Sequence, residues 1–315
     1  MAAHQETLDA PLDTTRAAVA RPWLVGFATA GLTFWLAYEN GSYDLSMRYA
    51  LGVGVWWAVV VAFVARLARS NRAAVVTAGA LAAFALWTLV STVWASNAEA
   101  AFSEFNRVSL YTGVFVLCSL LVRRRDLAPW CDGIGFGIAA VAALAFASRA
   151  FPDTIGSKAG TTILPALENR LSYPVGYWNG LGFLCAFGTP LLLATATGAR
   201  SRALRCGAAG IVPLLAAVVY MTSSRGAVAA TVTGVAVFVL LTPHRWRALA
   251  AVLLTGVAAA IAVAIVERHP SFADGTGASA GVRHSPARLR GRAGSRGGSR
   301  SRFSLSKIPR LCAPA

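Results

Sequence analysis

Two polar stretches interrupt an otherwise apolar chain, one carrying side chains suited to an anion and the other side chains suited to a ligand that is part phosphate and part carbohydrate. In the first, Thr222-Ser-Ser-Arg-Gly-Ala227, a guanidinium and hydroxyls fall where one apolar run must end and another begin. A helix start presents unbonded N–H groups and the positive end of its dipole, so Arg225 beside Ser224 would make an anion site there. Phosphate is the natural guest, because a guanidinium can hold it through two parallel hydrogen bonds. The competing reading has Arg225 snorkelling to lipid headgroups.

The second stretch, Arg170-Leu-Ser-Tyr-Pro-Val-Gly-Tyr-Trp-Asn-Gly-Leu-Gly182, gathers an arginine, two tyrosines, a tryptophan and an asparagine at the mouth of an apolar run. Polar groups at that depth are costly unless something uses them. Aromatic faces stack on sugar rings, and amides and hydroxyls bond sugar hydroxyls. Arg170, Tyr173, Tyr177 and Asn179 therefore suit a ligand that is part phosphate and part carbohydrate. Trp178 taken alone reads as an interfacial anchor. Arg107, with Glu99 and Glu104 close in sequence, reads as a paired surface residue.

The elements that must position these side chains follow from composition. Hydrophobic residues make up 56% of the 315 positions and charged ones 13%, which is too apolar for a soluble domain of this size. The apolar runs are long and continuous rather than alternating, so helices are the means of satisfying the backbone in lipid. The expected fold is all-α: a polytopic transmembrane bundle of about nine spans over residues 22–267, after a disordered leader at 1–21 and before a low-complexity basic tail at 268–315. The spans expected are Trp23–Tyr38, Tyr49–Ala65, Ala73–Trp94, Val108–Val122, Leu127–Ser148, Trp178–Thr197, two within Gly207–Leu241, and Ala248–Val266. Ser96–Arg107 is read as a polar connector. Gly207–Leu241 has 35 residues, a helix of roughly 52 Å against a hydrocarbon core of roughly 30 Å. It must break, and Thr222–Gly226 is where.

Arginines mark one side of the membrane. Arg66, Arg69 and Arg72, then Arg123 to Arg125, then Arg200, Arg202 and Arg205, then Arg245 and Arg247 occupy the even connectors. The positive-inside bias assigns these connectors and the N-terminus to the cytoplasm of a plasma membrane. The loop ending at Tyr177 and the Arg225 turn then face outside. Of the net charge of +16, nine positive residues with no acid fall in Gly281–Ala315, leaving +7 for the preceding 280 residues. The five cysteines, Cys118, Cys131, Cys185, Cys206 and Cys312, form no CxxC pair and read as packed or lipid-facing thiols. No internal repeat is visible, and Gly and Ser within the spans point to close helix packing.

The stretches Arg170–Gly182 and Thr222–Ala227, one span and a basic loop apart, resemble the O-antigen ligase and polymerase family of bacterial membrane proteins. Ser96 to Tyr111, rich in Glu, Phe and Arg and leading into a span, is similar too, and the resemblance covers about Leu81 to Asp274. It implies an all-helical glycosyltransferase that moves a glycan from undecaprenyl diphosphate to an acceptor hydroxyl, on a glycolipid or glycan, at the outer membrane face. The implied reaction needs no metal or cofactor. Arg170 and Arg225 would hold the diphosphate and steady its charge as it leaves, with Tyr177 and Asn179 near the sugar. The resemblance also implies a histidine base in a large outer loop late in the chain. Here the chain departs from the pattern: Glu267-Arg-His-Pro270 leads into a Gly, Ser, Ala and Arg run with no further span. His269 and His284 are the histidines on that side; His269 reads as interfacial and His284 lies in the tail, so the catalytic residue is unassigned and the chain reads as shortened and impaired.

Other classes are weaker. A proton-coupled transporter would need acids within its spans, which hold almost none; a non-catalytic membrane protein is the remaining alternative. The arginines of the tail lack interleaved aromatics apart from Phe303, so specific nucleic-acid binding is not supported. Three accounts of the tail compete: a disordered arm for anionic lipid or polymer, a span count that differs by one, and an out-of-frame translation of GC-rich DNA, which yields such mixtures and is favoured. On the last account, the other reading frames of the gene beyond the codon for Ala280 encode further apolar spans and a histidine-bearing loop. Their absence there rules it out.

Overall fold

The computed structural model describes residues 22–39, 41, 44–65, 71–122, 127–151, 154–155 and 170–269. The expected leader at 1–21, the tail from 270 with His284, and the arginines at 66, 69 and 123–125 lie outside them. Every described regular element is helical, as expected: α1 (Pro22–Tyr38), α2 (Leu45–Val64), α3 (Arg72–Val90, extended by a 3-10 turn at Ser91–Val93), α4 (Ala98–Leu121), α5 (Leu127–Ala150), α6 (Trp178–Gly198), α7 (Arg202–Met221), α8 (Arg225–Leu241) and α9 (Arg245–Glu267). Six of them, α2, α3, α5, α6, α7 and α9, are long and apolar enough to cross a membrane. α8, at 17 residues, is apolar but shorter. α4 has the length and carries Glu99, Glu104 and Arg107 in its first half.

That first half corrects one expectation. Ser96–Arg107 is mostly helix rather than connector, because Asn97 caps α4 by accepting the Ala100 N–H (3.0 Å) and Glu99 sits in the first turn beside the dipole. Alanine and glutamate are strong helix formers, so the polar composition that suggested a loop instead gives a charged helical extension. Arg107 pairs there with Glu104, one turn earlier, as its spacing implies. The break within 207–241 falls where span length requires it: α7 ends at Met221 and α8 starts at Arg225.

Two packing groups form. α2 and α3 both lie on α4, whereas α5, α6 and α7 pack together and carry α1, α8 and α9 around them. The shared core of the second group includes Ile138, Val141, Leu181, Cys185, Leu192, Leu215 and Val218, all essentially inaccessible. The large side chains outside it, such as Trp57, Val76, Leu253 and Leu254, are exposed on the protein's flanks. In lipid that exposure costs little, so close backbone approach and polar bonds between helices matter more than hydrophobic burial. α1 meets α5 through such an approach. A Cβ built on Gly133 would stand 1.8 Å from Thr29 Oγ1 and 2.4 Å from the Gly26 carbonyl oxygen, and one on Gly137 would stand 2.7 Å from the Ala30 carbonyl oxygen. At the other end of α6, Thr195 donates its hydroxyl to Asp132 of α5.

Gly133→Ala is therefore expected to lower the thermal stability of the purified protein, with an overpacking cost of about 1–3 kcal/mol. Gly31→Ala is its control: nothing lies within 4 Å of the added carbon, so that variant melts with, or slightly above, the parent.

Candidate functional site at the α5–α6 and α7–α8 connections

The segment before α6 is folded, and its side chains divide between anchoring and display. Leu171, Pro174 and Val175 are buried, whereas Gly176 and Tyr177 are exposed and Arg170, Ser172, Tyr173 and Asn179 are half-buried. A tight turn over Tyr173–Gly176 permits this alternation. It has a cis Tyr173–Pro174 bond, Gly176 at a φ of 76°, and the Gly176 N–H donating to the Ser172 carbonyl (2.9 Å). Only glycine takes such a φ without steric cost.

The anchor points of this segment meet the other polar stretch. The Leu171 N–H donates to the Met221 carbonyl (3.1 Å), satisfying one of the free carbonyls at the end of α7. Gly182, one turn into α6, lies so close to the α7–α8 turn that an added Cβ would be 2.7 Å from Ala227 Cβ, 3.0 Å from Thr222 Oγ1 and 3.4 Å from Ser224 Cβ. Gly226 returns the contact, since a Cβ added there would be 3.2 Å from the Phe183 ring. The two stretches singled out from sequence are thus one packed unit.

Within it, each residue has a defined setting. The Arg170 guanidinium lies 5.5 Å from the Trp178 ring centroid, a cation–π contact that fixes its direction. Tyr177 packs against the same Trp178 ring, with centroids 5.1 Å apart. Asn179 Nδ2 donates to Tyr177 Oη (2.9 Å). Arg225 is exposed in the first turn of α8. Ser224 is buried, and its hydroxyl oxygen accepts the Ala227 N–H (3.3 Å), so it serves α8 as an N-cap. Tyr173 neighbours Tyr38 at the end of α1; burial, then the neighbouring Tyr38, push its phenol above the ordinary value and keep it a neutral hydroxyl.

Two participants escaped sequence reasoning. Tyr38 joins the site, although its parity as the end of the first span already placed it on the same side as Tyr173. Trp178, read as an anchor, has a buried indole N–H with no partner among the described residues. His269 does not approach this cluster through any recorded contact; its Nδ1 lies 2.8 Å from the Ile265 carbonyl, closing the end of α9. Fold and site together define a helical membrane protein with a paired arginine-bearing surface at one end of the α5–α9 group. No family model, curated protein or solved structure matches the chain.

Ser223, between the helices, adopts a left-handed φ of 52°, which costs a non-glycine residue roughly 1–2 kcal/mol. Ser223→Gly is expected to melt at or above the parent temperature. Ser224→Ala, which removes the cap, should destabilise by about 1 kcal/mol. Calorimetry of the two variants in detergent distinguishes these opposite signs.

Proposed function

We propose that the chain is a nine-span plasma-membrane protein with a cytoplasmic N-terminus, and that the Arg170–Gly182 and Thr222–Ala227 unit binds a glycan carried on undecaprenyl diphosphate. The reaction class is transfer of that glycan to an acceptor hydroxyl on a glycolipid or glycan, as the resemblance to O-antigen ligases implies, and it is impaired in this chain because the histidine-bearing segment is not identifiable. The observation that carries this reading is the joining of the two arginine-bearing stretches, through the Leu171 to Met221 hydrogen bond and the seat of Gly182 on Ala227. The nine-span count takes α1 and α8 as short spans at the lower limit of about 17 residues, with the charged start of α4 standing in the outer headgroup layer.

In the transfer, the acceptor oxygen attacks the anomeric carbon, the bond from that carbon to the diphosphate oxygen breaks, and the acceptor proton passes to a base. Arg225 and Arg170 hold the departing diphosphate. Its negative charge grows in the transition state, so fixed cations there lower the barrier more than they tighten substrate binding. The Asn179 and Tyr177 pair offers an amide and an aromatic face to the sugar. The transport alternative finds one acid in the α5–α7 core, Asp132, and that carboxylate accepts the Thr195 hydroxyl as a clamp between helices.

The test is transfer from a synthetic undecaprenyl-diphosphate glycan in proteoliposomes containing the full chain. Arg225→Ala is expected to reduce transfer at least about 100-fold at equal protein level, and Arg225→Lys to retain part of it, since lysine supplies charge without the planar fork. Equal transfer by Arg225→Ala and the parent would remove Arg225 from the mechanism. No transfer by the parent, with no binding of the lipid-linked glycan, would remove the glycosyltransfer reading.

A further inference from the structure

Away from that unit, a groove of about 450 Å³ runs between α2 and α4. Its floor on α2 is the i, i+4 series Arg48, Gly52, Trp56 and Val60, which occupies one helix face over about 18 Å. The polar members lie towards one end of α2: Arg48 and its neighbour Tyr49 are the fourth and fifth residues of the helix. The remainder of the floor is apolar. On α4, Asn106 and Ser109 line the opposite wall.

The groove is a built feature rather than a gap between loosely associated helices. Trp56 Nε1 donates to Ser109 Oγ (3.1 Å), and Gly113 lets α4 approach so closely that an added Cβ would be 2.9 Å from Val55 Cγ1 and 3.3 Å from the Trp56 ring. This contact sets the indole as one wall. Beside it Gly52 leaves the floor open, since nothing lies within 4 Å of where its Cβ would be.

We propose that this groove holds one phospholipid with an anionic headgroup, its phosphate at Arg48 and one acyl chain laid along Gly52, Trp56 and Val60. The argument is one of complementarity. The groove opens on an apolar flank of a membrane protein, so what fills it is amphiphilic. Its cation sits at a helix end, where headgroups lie, and a guanidinium suits a phosphate diester. Arg48 already has an interaction inside the protein, and Asp44, the N-cap residue of α2, accepts the Ser46 hydroxyl; five guanidinium N–H donors leave capacity for a headgroup as well. Neither Arg170 nor Arg225 takes part, so this inference stands apart from the glycan-transfer reading.

The test is native mass spectrometry of the full chain released from detergent containing phosphatidylglycerol or phosphatidylcholine. The parent is expected to retain one phosphatidylglycerol in preference to phosphatidylcholine by about tenfold, because both offer a phosphate diester but the choline cation of the second repels the Arg48 guanidinium. Arg48→Gln should remove that preference. Gly52→Leu fills open space with a better helix former; it should leave the melting temperature unchanged and cut retention of both lipids. Equal lipid retention by the parent and both variants overturns the proposal. So does disulfide cross-linking between two copies carrying Trp57→Cys in a bilayer, because a second copy would then cover the groove. Should Gly52→Leu not fold, the headgroup preference of Arg48→Gln decides the matter.

Discussion

The mismatch between a 35-residue apolar run and the thickness of a bilayer is the constraint on which the candidate site depends. A continuous helix over 207–241 would be roughly 52 Å long, and the surplus would leave apolar side chains in water. The chain instead reverses within three residues, Thr222 to Ser224. So tight a reversal is possible because Ser223 accepts a left-handed φ and Ser224 caps the following helix with its own hydroxyl. It exposes the last carbonyls of α7 at one end of the bundle, and the Leu171 N–H takes that of Met221. The guanidinium of Arg225, the anchoring of the Arg170 segment and the seat of Gly182 therefore share one cause.

Small residues then decide how near the helices come. Lipid removes most of the hydrophobic incentive for helices to associate, leaving packing and polar contacts. Gly133 and Gly137 permit α5 to touch the α1 backbone, Gly182 permits α6 to touch the α7–α8 turn, and Gly113 permits α4 to touch Trp56. Each closes a different contact. The first ties α1 to the core and so holds Tyr38 beside Tyr173; the second joins the two arginine-bearing stretches; the third shapes the groove on α2.

The helices were legible in the sequence because the period of apolar runs and the thickness of lipid are strong constraints, and the start of α6 at Trp178 and the break before Arg225 emerge from them directly. The ends of α4 were not, because polar residues in Ser96–Arg107 signal a loop by composition while Asn97, Glu99 and the alanines signal a helix by position and propensity, and the local capping signal prevails. Which spans touch was also hidden. Gly133 and Gly31 are both glycines within apolar runs, yet one meets Thr29 and the other meets nothing. That distinction depends on helix rotation, which a hydrophobic pattern without a polar face does not encode.

The site was legible in its residue types and less so in their duties. Arg170, Tyr177 and Asn179 were singled out because polarity at the mouth of a span is costly, and the structure accounts for part of that polarity internally: the guanidinium rests on Trp178, and the amide bonds the phenol. Those contacts do not compete with a ligand on equal terms. One cation–π contact does not use up the five N–H donors of a guanidinium. The Asn179 carbonyl oxygen likewise remains an acceptor while its nitrogen donates to Tyr177. On the glycan-binding proposal, internal contacts of this kind order the donors and acceptors before the ligand arrives, lowering the entropy lost on binding. Ser224 differs from them, since its oxygen turns inward to the Ala227 N–H.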